Sequence, residues 1–328
     1  MNILVTGGAG YIGSVVSHQL IEKGHKVIVY DNFSTGYKEA LHQNCKFVLG
    51  DVRDRELPAR VMRDNKVDLV LHFAAKLNVP ESIINPLDYY DNNFLGTLNL
   101  LQCCERSGVS KFIFSSTAAV YGDTQKKLVS EDDDLKPINP YGESKFFSER
   151  ALFSQSKTNK MNFISLRYFN VSGASNDLSL GQRSLGSFNL IKNLCDVVLG
   201  YKEQLEVFGA DFPTPDGFGV RDYIHVEDLA AAHVVAAEKL YDSQGLVNEV
   251  YNCGYGKGYS VKEVIDAFSR ITGKAVPYTI RPRRAGDPAA VVADVSKIKA
   301  ELSWKPQNED LYKICESTLN WFKKTRNA

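Results

Sequence analysis

Tyr141 and Lys145 stand four residues apart in Pro140-Tyr141-Gly142-Glu143-Ser144-Lys145, a spacing that puts a phenol and an amine one turn apart on one helix face. A phenol with its ordinary pKa of about 10 is a poor base at neutral pH, but a nearby ammonium favours the phenolate, which then takes a proton from a substrate hydroxyl. Such a pair also arises by chance on helix surfaces. What sets this one apart is Ser115-Ser116-Thr117, just upstream at the end of a strand-like run, where a hydroxyl can hydrogen-bond the same reacting oxygen.

A redox partner for that chemistry is written at the start of the chain. Thr6-Gly7-Gly8-Ala9-Gly10-Tyr11-Ile12-Gly13 follows the apolar run Ile3-Leu4-Val5 and opens a helical pattern, the context in which a Gly-rich turn binds a dinucleotide. Gly7, Gly10 and Gly13 let the backbone approach a pyrophosphate, and the helix N-terminus offers unpaired N–H groups and partial positive charge. The bland alternative is a tight connection with no ligand. Asp31 weighs against it, because it ends the second strand about 20 residues on and its carboxylate can accept both hydroxyls of an adenosine ribose. The same carboxylate would repel a 2′-phosphate, so NAD is expected over NADP. Asp51 follows the third strand, and Phe73-Ala74-Ala75 closes the fourth with small residues that suit either a cofactor lying against the strand ends or plain core packing. An oxidised nicotinamide near Tyr141 would add to the charge favouring phenolate.

The elements that must position these residues are legible as alternating patterns. Short β-rich runs at Ile3–Val5, Lys26–Tyr30, Lys46–Gly50, Leu69–Phe73, Phe112–Ser115 and Ile164–Phe169 are separated by helical stretches, among them Ile12–Lys23, Leu87–Arg106 and Tyr141–Ser156. Such alternation predicts an α/β protein with a Rossmann-type, doubly wound parallel sheet. After Asn170 the character changes. Gly173, Gly181, Gly186, Pro213, Pro215, Gly217 and Gly219 crowd residues 172–220, which read as loops and short elements around a ligand. A strand-like return at Glu249–Cys253 precedes a last segment carrying Arg283-Arg284 and Trp304. The predicted organisation is a dinucleotide-binding domain over 1–171, with returning segments from about 222–253, and a smaller C-terminal substrate-binding lobe over most of 172–328.

Composition narrows the class. In a chain of 328 residues, 44% hydrophobic and 24% charged is ordinary for a globular protein with a buried core, so disorder is not indicated. Lys plus Arg balance Asp plus Glu at 39 each, leaving no global field for nucleic acid or an acidic membrane. An anionic ligand must then be held locally. Arg221 and Arg284 can grip phosphate oxygens with charge-assisted, bidentate bonds, although each also has a carboxylate nearby, Asp222 and Asp287, with which it could form a structural ion pair. The six cysteines show neither C-x-x-C spacing nor metal-ligand intervals with histidine, so no metal is expected and the thiols read as free in a reducing compartment. The first strand begins almost at Met1, with no signal-peptide pattern, and no apolar run approaches the roughly 20 residues that span a bilayer. A cytoplasmic protein is expected.

Taken together, TGGAGYIG (6–13), YYDNN (89–93), FSSTAAVYGD (114–123), PYGESK (140–145), LRYFNVSGA (166–174), GVRDYIHVEDLA (219–230) and RRAGD (283–287) resemble the extended short-chain dehydrogenase/reductases almost end to end, most closely the branch of UDP-glucose 4-epimerases. That resemblance implies an NAD-dependent enzyme that inverts C4 of a UDP-hexose through a 4-keto sugar. Tyr141 would be the base and acid, and Lys145 would bind the nicotinamide ribose. Thr117, where the family usually has serine, would hold the reacting oxygen with an added methyl near C4. NAD contacts would fall on Tyr11, Ile12, Asp31, Asn32, Asp51, Val52, Phe73, Ala74, Ala75, Asn92, Ser115 and Tyr168. The family lysine near position 77 is replaced by Leu77, with Lys76 beside it. UDP-sugar contacts would fall on Asn170, Asn189, Leu190, Phe208 against uracil, Arg221, Arg284, and Asp287 on a ribose hydroxyl. Val291, on the pocket wall in this family, is small enough to admit a 2-acetamido group, unless it merely fills the core. A homodimer pairing the helices around Leu87–Arg106 and Tyr141–Ser156 is a further expectation. Three other readings compete. A 4,6-dehydratase needs carboxyl groups where this chain has Ala118-Ala119. A UDP-glucuronate epimerase or decarboxylase shares the motifs, and a silent NAD-binding protein would not need Thr117, Tyr141 and Lys145.

Overall fold

Ile3 and Val5 pack into one buried cluster while Leu4 packs into another, so the first strand is covered on both faces. A strand buried on both sides belongs inside a parallel sheet sandwiched by helices. The computed structural model of the chain, which describes residues 1–124, 126–158, 161–183, 189–284 and 286–326, has that arrangement. β1 (Asn2–Thr6), β2 (Lys26–Asp31), β3 (Lys46–Leu49), β4 (Leu69–His72), β5 (Lys111–Thr117), β6 (Asn162–Tyr168) and β10 (Asn248–Cys253) form a seven-stranded sheet in the order β10-β6-β5-β4-β1-β2-β3. Every neighbouring pair in it is parallel. Strand order reverses between β1 and β4, so a crevice opens beyond their carboxyl ends, where sheets of this kind bind ligands.

One face carries α1 (Tyr11–Glu22) and α8 (Val226–Asp242). The other carries α2 (Leu57–Asp64), α5 (Gly96–Ser107) and α6 (Pro140–Ser156). The expected helix over Leu87–Arg106 has an internal irregularity. α3 (Val79–Ile84) and α4 (Pro86–Tyr89) lead into a π turn at Tyr90–Leu95 before α5 resumes the α pitch. The turn aims the Asn93 side chain at the loop after β4, where it accepts from Lys76 N at 2.8 Å and donates to the Lys76 carbonyl at 3.0 Å.

The smaller lobe is built on β9 (Val220–His225). It pairs in parallel with β7 (Asn170–Ser172) and β13 (Ala290–Val291), and antiparallel with β11 (Gly258–Ser260). β8 (Leu205–Phe208) and β12 (Tyr278–Arg281) form a separate parallel pair. α7 (Leu190–Val198), α9 (Val261–Thr272) and α11 (Leu311–Arg326) pack together here, and α10 (Ser296–Glu301) lies against β10. The reading of 172–220 as loops and short elements covers β8 but left the nine-residue helix α7 unplaced. The glycines dominated the composition, while the apolar spacing of Ile191, Leu194, Cys195 and Val197, all buried, was already helical. Gly186 and Ala285 lie outside the described residues. Among the described residues no helix is long and apolar enough to cross a membrane, and no His/Cys/Asp/Glu group could hold a metal. All six cysteines are free.

Gly7 is where this architecture is least forgiving. Its φ is +70°, and a Cβ there would stand 2.6 Å from Ala74 N on the strand-end backbone opposite. Gly24 has a φ of +84° with open space around it. Gly24→Ala should therefore cost about 1 kcal/mol of stability from backbone strain alone. Gly7→Ala should cost about 1–3 kcal/mol more, because the β1 and β4 ends must part. Thermal denaturation of the two variants checks the difference, and equal melting temperatures would contradict it.

Candidate active site

At the switch point the backbone is tied tightly. Gly7 N donates to the Tyr30 carbonyl and Phe73 N to the Thr6 carbonyl, each at 2.9 Å. Below them, the buried His72 ring joins Thr6 Oγ1 at 2.7 Å and Thr97 Oγ1 at 3.0 Å. Gly10, which caps α1, has no side chain to accept from the first-turn N–H groups of Tyr11, Ile12 and Gly13, the groups that a helix start offers to an anion. Asp31 is 8% exposed and accepts from Ala9 N at 3.0 Å and Phe33 N at 2.8 Å. Burial pushes its carboxyl up, and those N–H groups pull it back. Asn32 donates to Asp51 at 3.0 Å, and Arg53 holds Asp51 well below the usual carboxylate range. Val52 is buried against Gly96, where a Cβ would stand 2.8 Å away. Tyr11 reaches across to the Gly173 carbonyl at 2.6 Å, closing one side of the crevice. This cradle of close backbone, an uncapped helix start and one buried carboxylate fits a dinucleotide.

α6 delivers the expected pair. Asn139 caps it by accepting from Gly142 N at 2.9 Å, and Pro140 occupies its first turn. Gly142 lets the helix start press on the turn after β5, since a Cβ would lie 2.7 Å from the Ala119 carbonyl. Tyr141 is thereby brought near Thr117, whose hydroxyl favours the phenolate. Lys145 donates to the Ser115 carbonyl at 2.8 Å and sits 4.9 Å from the Phe114 ring centre. The Ser115 hydroxyl bonds the Tyr168 phenol. Thr117, Tyr141, Lys145, Ser115 and Tyr168 thus form one cluster beside the Gly-rich turn.

The electrostatics differ from the simple expectation. Burial raises the Tyr141 pKa, and the group that lowers it is Thr117 rather than Lys145. Burial also drives Lys145 down to about 7, against the pull of Glu149. Both groups are out of water, so the low-dielectric cost of charge outweighs their mutual help.

Of the remaining positions on the dinucleotide side, Phe73 stacks at a tilt on His233, with 4.8 Å between ring centres. Ala74 and Ala75 are half-buried beside it, and Asn92 donates to Asn93 at 2.9 Å. Lys76 does not stand in for the lysine replaced by Leu77. Its ammonium reaches Asp88 at 3.1 Å, away from the cluster, and Leu77 is exposed.

In the smaller lobe Arg221 and Asp222 do not pair. Neighbours on a strand point to opposite faces, and Asp222 instead accepts from Tyr255 N, Gly256 N and Ala293 N at 2.9, 2.9 and 3.3 Å. Arg221 donates to the Val220 carbonyl at 2.9 Å and lies in register with Val291. Asp287 acts electrostatically on both Arg221 and Arg284. The Arg284 guanidinium lies 3.7 Å from the Phe208 ring centre, so one face of that ring is already covered. Asn170 is half-buried, opposite Tyr223 in the β7–β9 register. The Asn189 side chain is occupied, capping α7 through Ile191 N at 3.0 Å and donating to the Val171 carbonyl at 2.9 Å, and its carbonyl accepts from Asn193 N at 3.0 Å. Leu190, the first residue of α7, packs partly buried against the core, and Val291 is 6% exposed within it.

Sequence reasoning missed Glu149 and Arg167, a buried pair beneath the cluster. The only signal was a carboxylate at Lys145+4 on a helix otherwise facing a sheet.

The model of the NAD dependent epimerase/dehydratase family matches residues 3–254. The chain is 45% identical over 319 residues to the UDP-glucose 4-epimerase of Azospirillum brasilense, covering 97% of this chain and 91% of that protein. A crystal structure of the Stenotrophomonas maltophila UDP-glucose 4-epimerase, with bound NAD and formylated UDP-arabinopyranose, superposes with a TM-score of 0.95 at 40% identity, covering 100% of each chain. The UDP-Glc/GlcNAc 4-epimerase of Campylobacter jejuni superposes with a TM-score of 0.85 at 43% identity, covering 98% of this chain and 99% of that one.

The buried amine has a consequence for stability. Between a pH of about 7 and the ordinary lysine range, the unfolded chain holds a proton that folded Lys145 has released. Its destabilising effect is therefore full below that window and fades as pH rises through it. Lys145→Met should raise the melting temperature of the ligand-free protein, by more at about pH 6 than at about pH 10. A gain independent of pH would contradict the buried-charge account.

Proposed function

We propose, because this chain belongs to the NAD dependent epimerase/dehydratase family, that it is an NAD-dependent epimerase inverting C4 of UDP-glucose and UDP-galactose, the reaction named for its relatives. The observation that carries the reading is the docking of the Tyr141–Lys145 helix on the end of β5, where Lys145 holds the Ser115 carbonyl at 2.8 Å and the Thr117 hydroxyl favours the Tyr141 phenolate, beside the dinucleotide cradle. Ala118-Ala119 follows directly, so the carboxyl groups a 4,6-dehydratase needs to eliminate water are missing from that turn.

The ends of β1, β2 and β4 suit NAD. Asp31 and Asn32 would hold the adenosine ribose, and Asp51 and Val52 the adenine. Gly7, Gly10, Tyr11, Ile12 and Gly13 would hold the pyrophosphate, and Phe73, Ala74, Ala75, Asn92, Ser115 and Tyr168 the nicotinamide side, with Lys145 on its ribose. When bound, NAD supplies the hydride acceptor and donor that makes oxidation at C4 reversible through a 4-keto sugar, with no net redox change. Tyr141 takes the 4-hydroxyl proton and later returns it, while Thr117 holds the same oxygen. Arg221 and Arg284 grip the diphosphate, Asp287 a ribose hydroxyl, and Asn170, Asn189, Leu190 and Phe208 line the nucleotide. Anchoring at that end leaves the hexose free to present its other face. The seven-stranded sheet (1–171 and the returning segments) thus serves the cofactor and the smaller lobe the UDP-sugar. Leu95 and Phe147, half or nearly half exposed on the π turn and α6, suit a homodimer face, and six free thiols suit a cytoplasmic setting.

Tyr141→Phe should retain bound nicotinamide yet lose epimerisation by about 10²–10⁴-fold. Absorbance of the bound nicotinamide on adding UDP-galactose reads the half-reaction directly. Near-normal turnover by this variant would remove Tyr141 from the role, and absence of nicotinamide reduction in the unmodified protein would overturn the reading. Val291 sits beside Arg221, so its small side chain is expected to admit UDP-GalNAc as well. Val291→Tyr should depress turnover of the acetamido pair more than that of UDP-galactose, and an equal loss would place Val291 in the core alone.

A further inference from the structure

Glu149 lies one helical turn beyond Lys145 and is 1% exposed. Its carboxylate is gripped from the sheet. Oε1 accepts from Ser116 Oγ at 2.6 Å, Ser165 Oγ at 3.0 Å and Arg167 Nε at 3.0 Å, and Oε2 accepts from Arg167 Nη2 at 2.7 Å. Arg167, equally buried, continues to the Tyr121 phenol at 3.1 Å, which donates to Asn252 Oδ1 at 2.6 Å. The carboxylate therefore joins α6 to β5 and β6, and the guanidinium carries the connection to β10.

Ser116 is the informative contact. Side chains alternate along a strand, so its hydroxyl points to the α6 face while those of Ser115 and Thr117 point to the other. Holding Ser116 fixes the height of its two neighbours. One offers its carbonyl to Lys145, and the other carries the hydroxyl that favours the Tyr141 phenolate. The spacing between strand end and helix start, on which proton transfer depends, is thus set one turn below the reacting groups. Charge adds a second effect. The Lys145 amine is faced from β4 by the neutral His72 ring, from β5 by the Phe114 ring and the Ser115 carbonyl, from β6 by Tyr168 through Ser115 and by Arg167 behind Glu149, and along α6 by Tyr141 and Glu149. Among these, Glu149 is the group whose charge favours the ammonium.

We propose that Glu149 is a positioning residue for the C4 chemistry: through Ser116 it sets the strand-end hydroxyls against α6, and it gives the Lys145 amine a buried negative neighbour. The inference rests on the epimerase reading above. Removing either partner alone would strand the charge of the other, so the pair is neutralised together as Glu149→Gln with Arg167→Met, beside Ser116→Ala and the unmodified protein. Each is assayed for single-turnover reduction of its bound nicotinamide by UDP-galactose across pH, with steady-state kcat and KM. The double variant should shift the pH limb belonging to Lys145 downward by about one unit relative to the unmodified protein, because the charge that favours the ammonium is lost. Ser116→Ala changes no charge and should lower kcat about tenfold with KM and the limb unmoved. A limb in the folded double variant that coincides with that of the unmodified protein overturns the proposal. So does a wild-type kcat in Ser116→Ala, which decides alone if the double variant does not fold. An unmodified protein that never reduces its nicotinamide removes the epimerase reading, and the inference with it. One that turns over normally beside unaffected variants removes the inference only.

Discussion

A carboxylate and a guanidinium shut away from water set the frame on which the reacting groups stand. Desolvating both is costly, and a buried pair is often no more stabilising than well-packed apolar residues would be. Its effect is geometric. Glu149 and Arg167 satisfy each other bidentately and spend their remaining capacity on Ser116, Ser165, Tyr121 and the Glu131 carbonyl. An apolar seam of the same size could slide by a fraction of an ångström, whereas these bonds permit one register of α6 on β5 and β6. With one partner removed, the other charge would be left uncompensated at a cost of about 3–5 kcal/mol.

The same device recurs in the smaller lobe. Asp222 accepts three backbone N–H groups from the loop after β10 and from the chain following β13. Alternation then turns Arg221, its neighbour on β9, toward the opposite side. Burial lifts the Asp222 carboxyl to about 6 despite those three donors, so its ionisation is poorly paid by solvation and depends on the loops staying in place. A buried acid organising backbone and an arginine turned to the opposite side are two products of one strand.

Much of this was legible in the sequence. Thr6 to Gly13, Asp31 and the Tyr141–Lys145 spacing act through local geometry, in which a few consecutive residues dictate a turn, a strand end or a helix face, and each lies where its pattern implied. The parallel sheet followed from alternation, with strand limits off by a residue or two. The π turn at Tyr90–Leu95 was invisible because its apolar spacing is close to that of an α-helix, and the irregularity answers to a hydrogen bond with Lys76, distant in the chain. Helix α7 was hidden by neighbouring glycines. The ion pair that adjacency offered as an alternative for Arg221 and Asp222 is one that strand geometry forbids. Glu149 was unreadable since its meaning comes from Arg167 and Ser116, both brought in by tertiary pairing.

The cluster's electrostatics tie its chemistry to cofactor occupancy. In the protein alone, burial favours a neutral phenol at Tyr141 and works against the ammonium at Lys145, so the site holds no ready base. An oxidised nicotinamide carries positive charge, which favours the phenolate but also disfavours a neighbouring ammonium. A lysine meant to stay protonated beside such a ring needs a negative charge on its far side. That charge must be screened from the substrate, or it would raise the phenol as well. Glu149 satisfies both conditions. It is one helical turn from Lys145 and two from Tyr141, and its lone pairs are turned to the sheet. Distance along a single helix lets one carboxylate support the amine while leaving the phenol to Thr117.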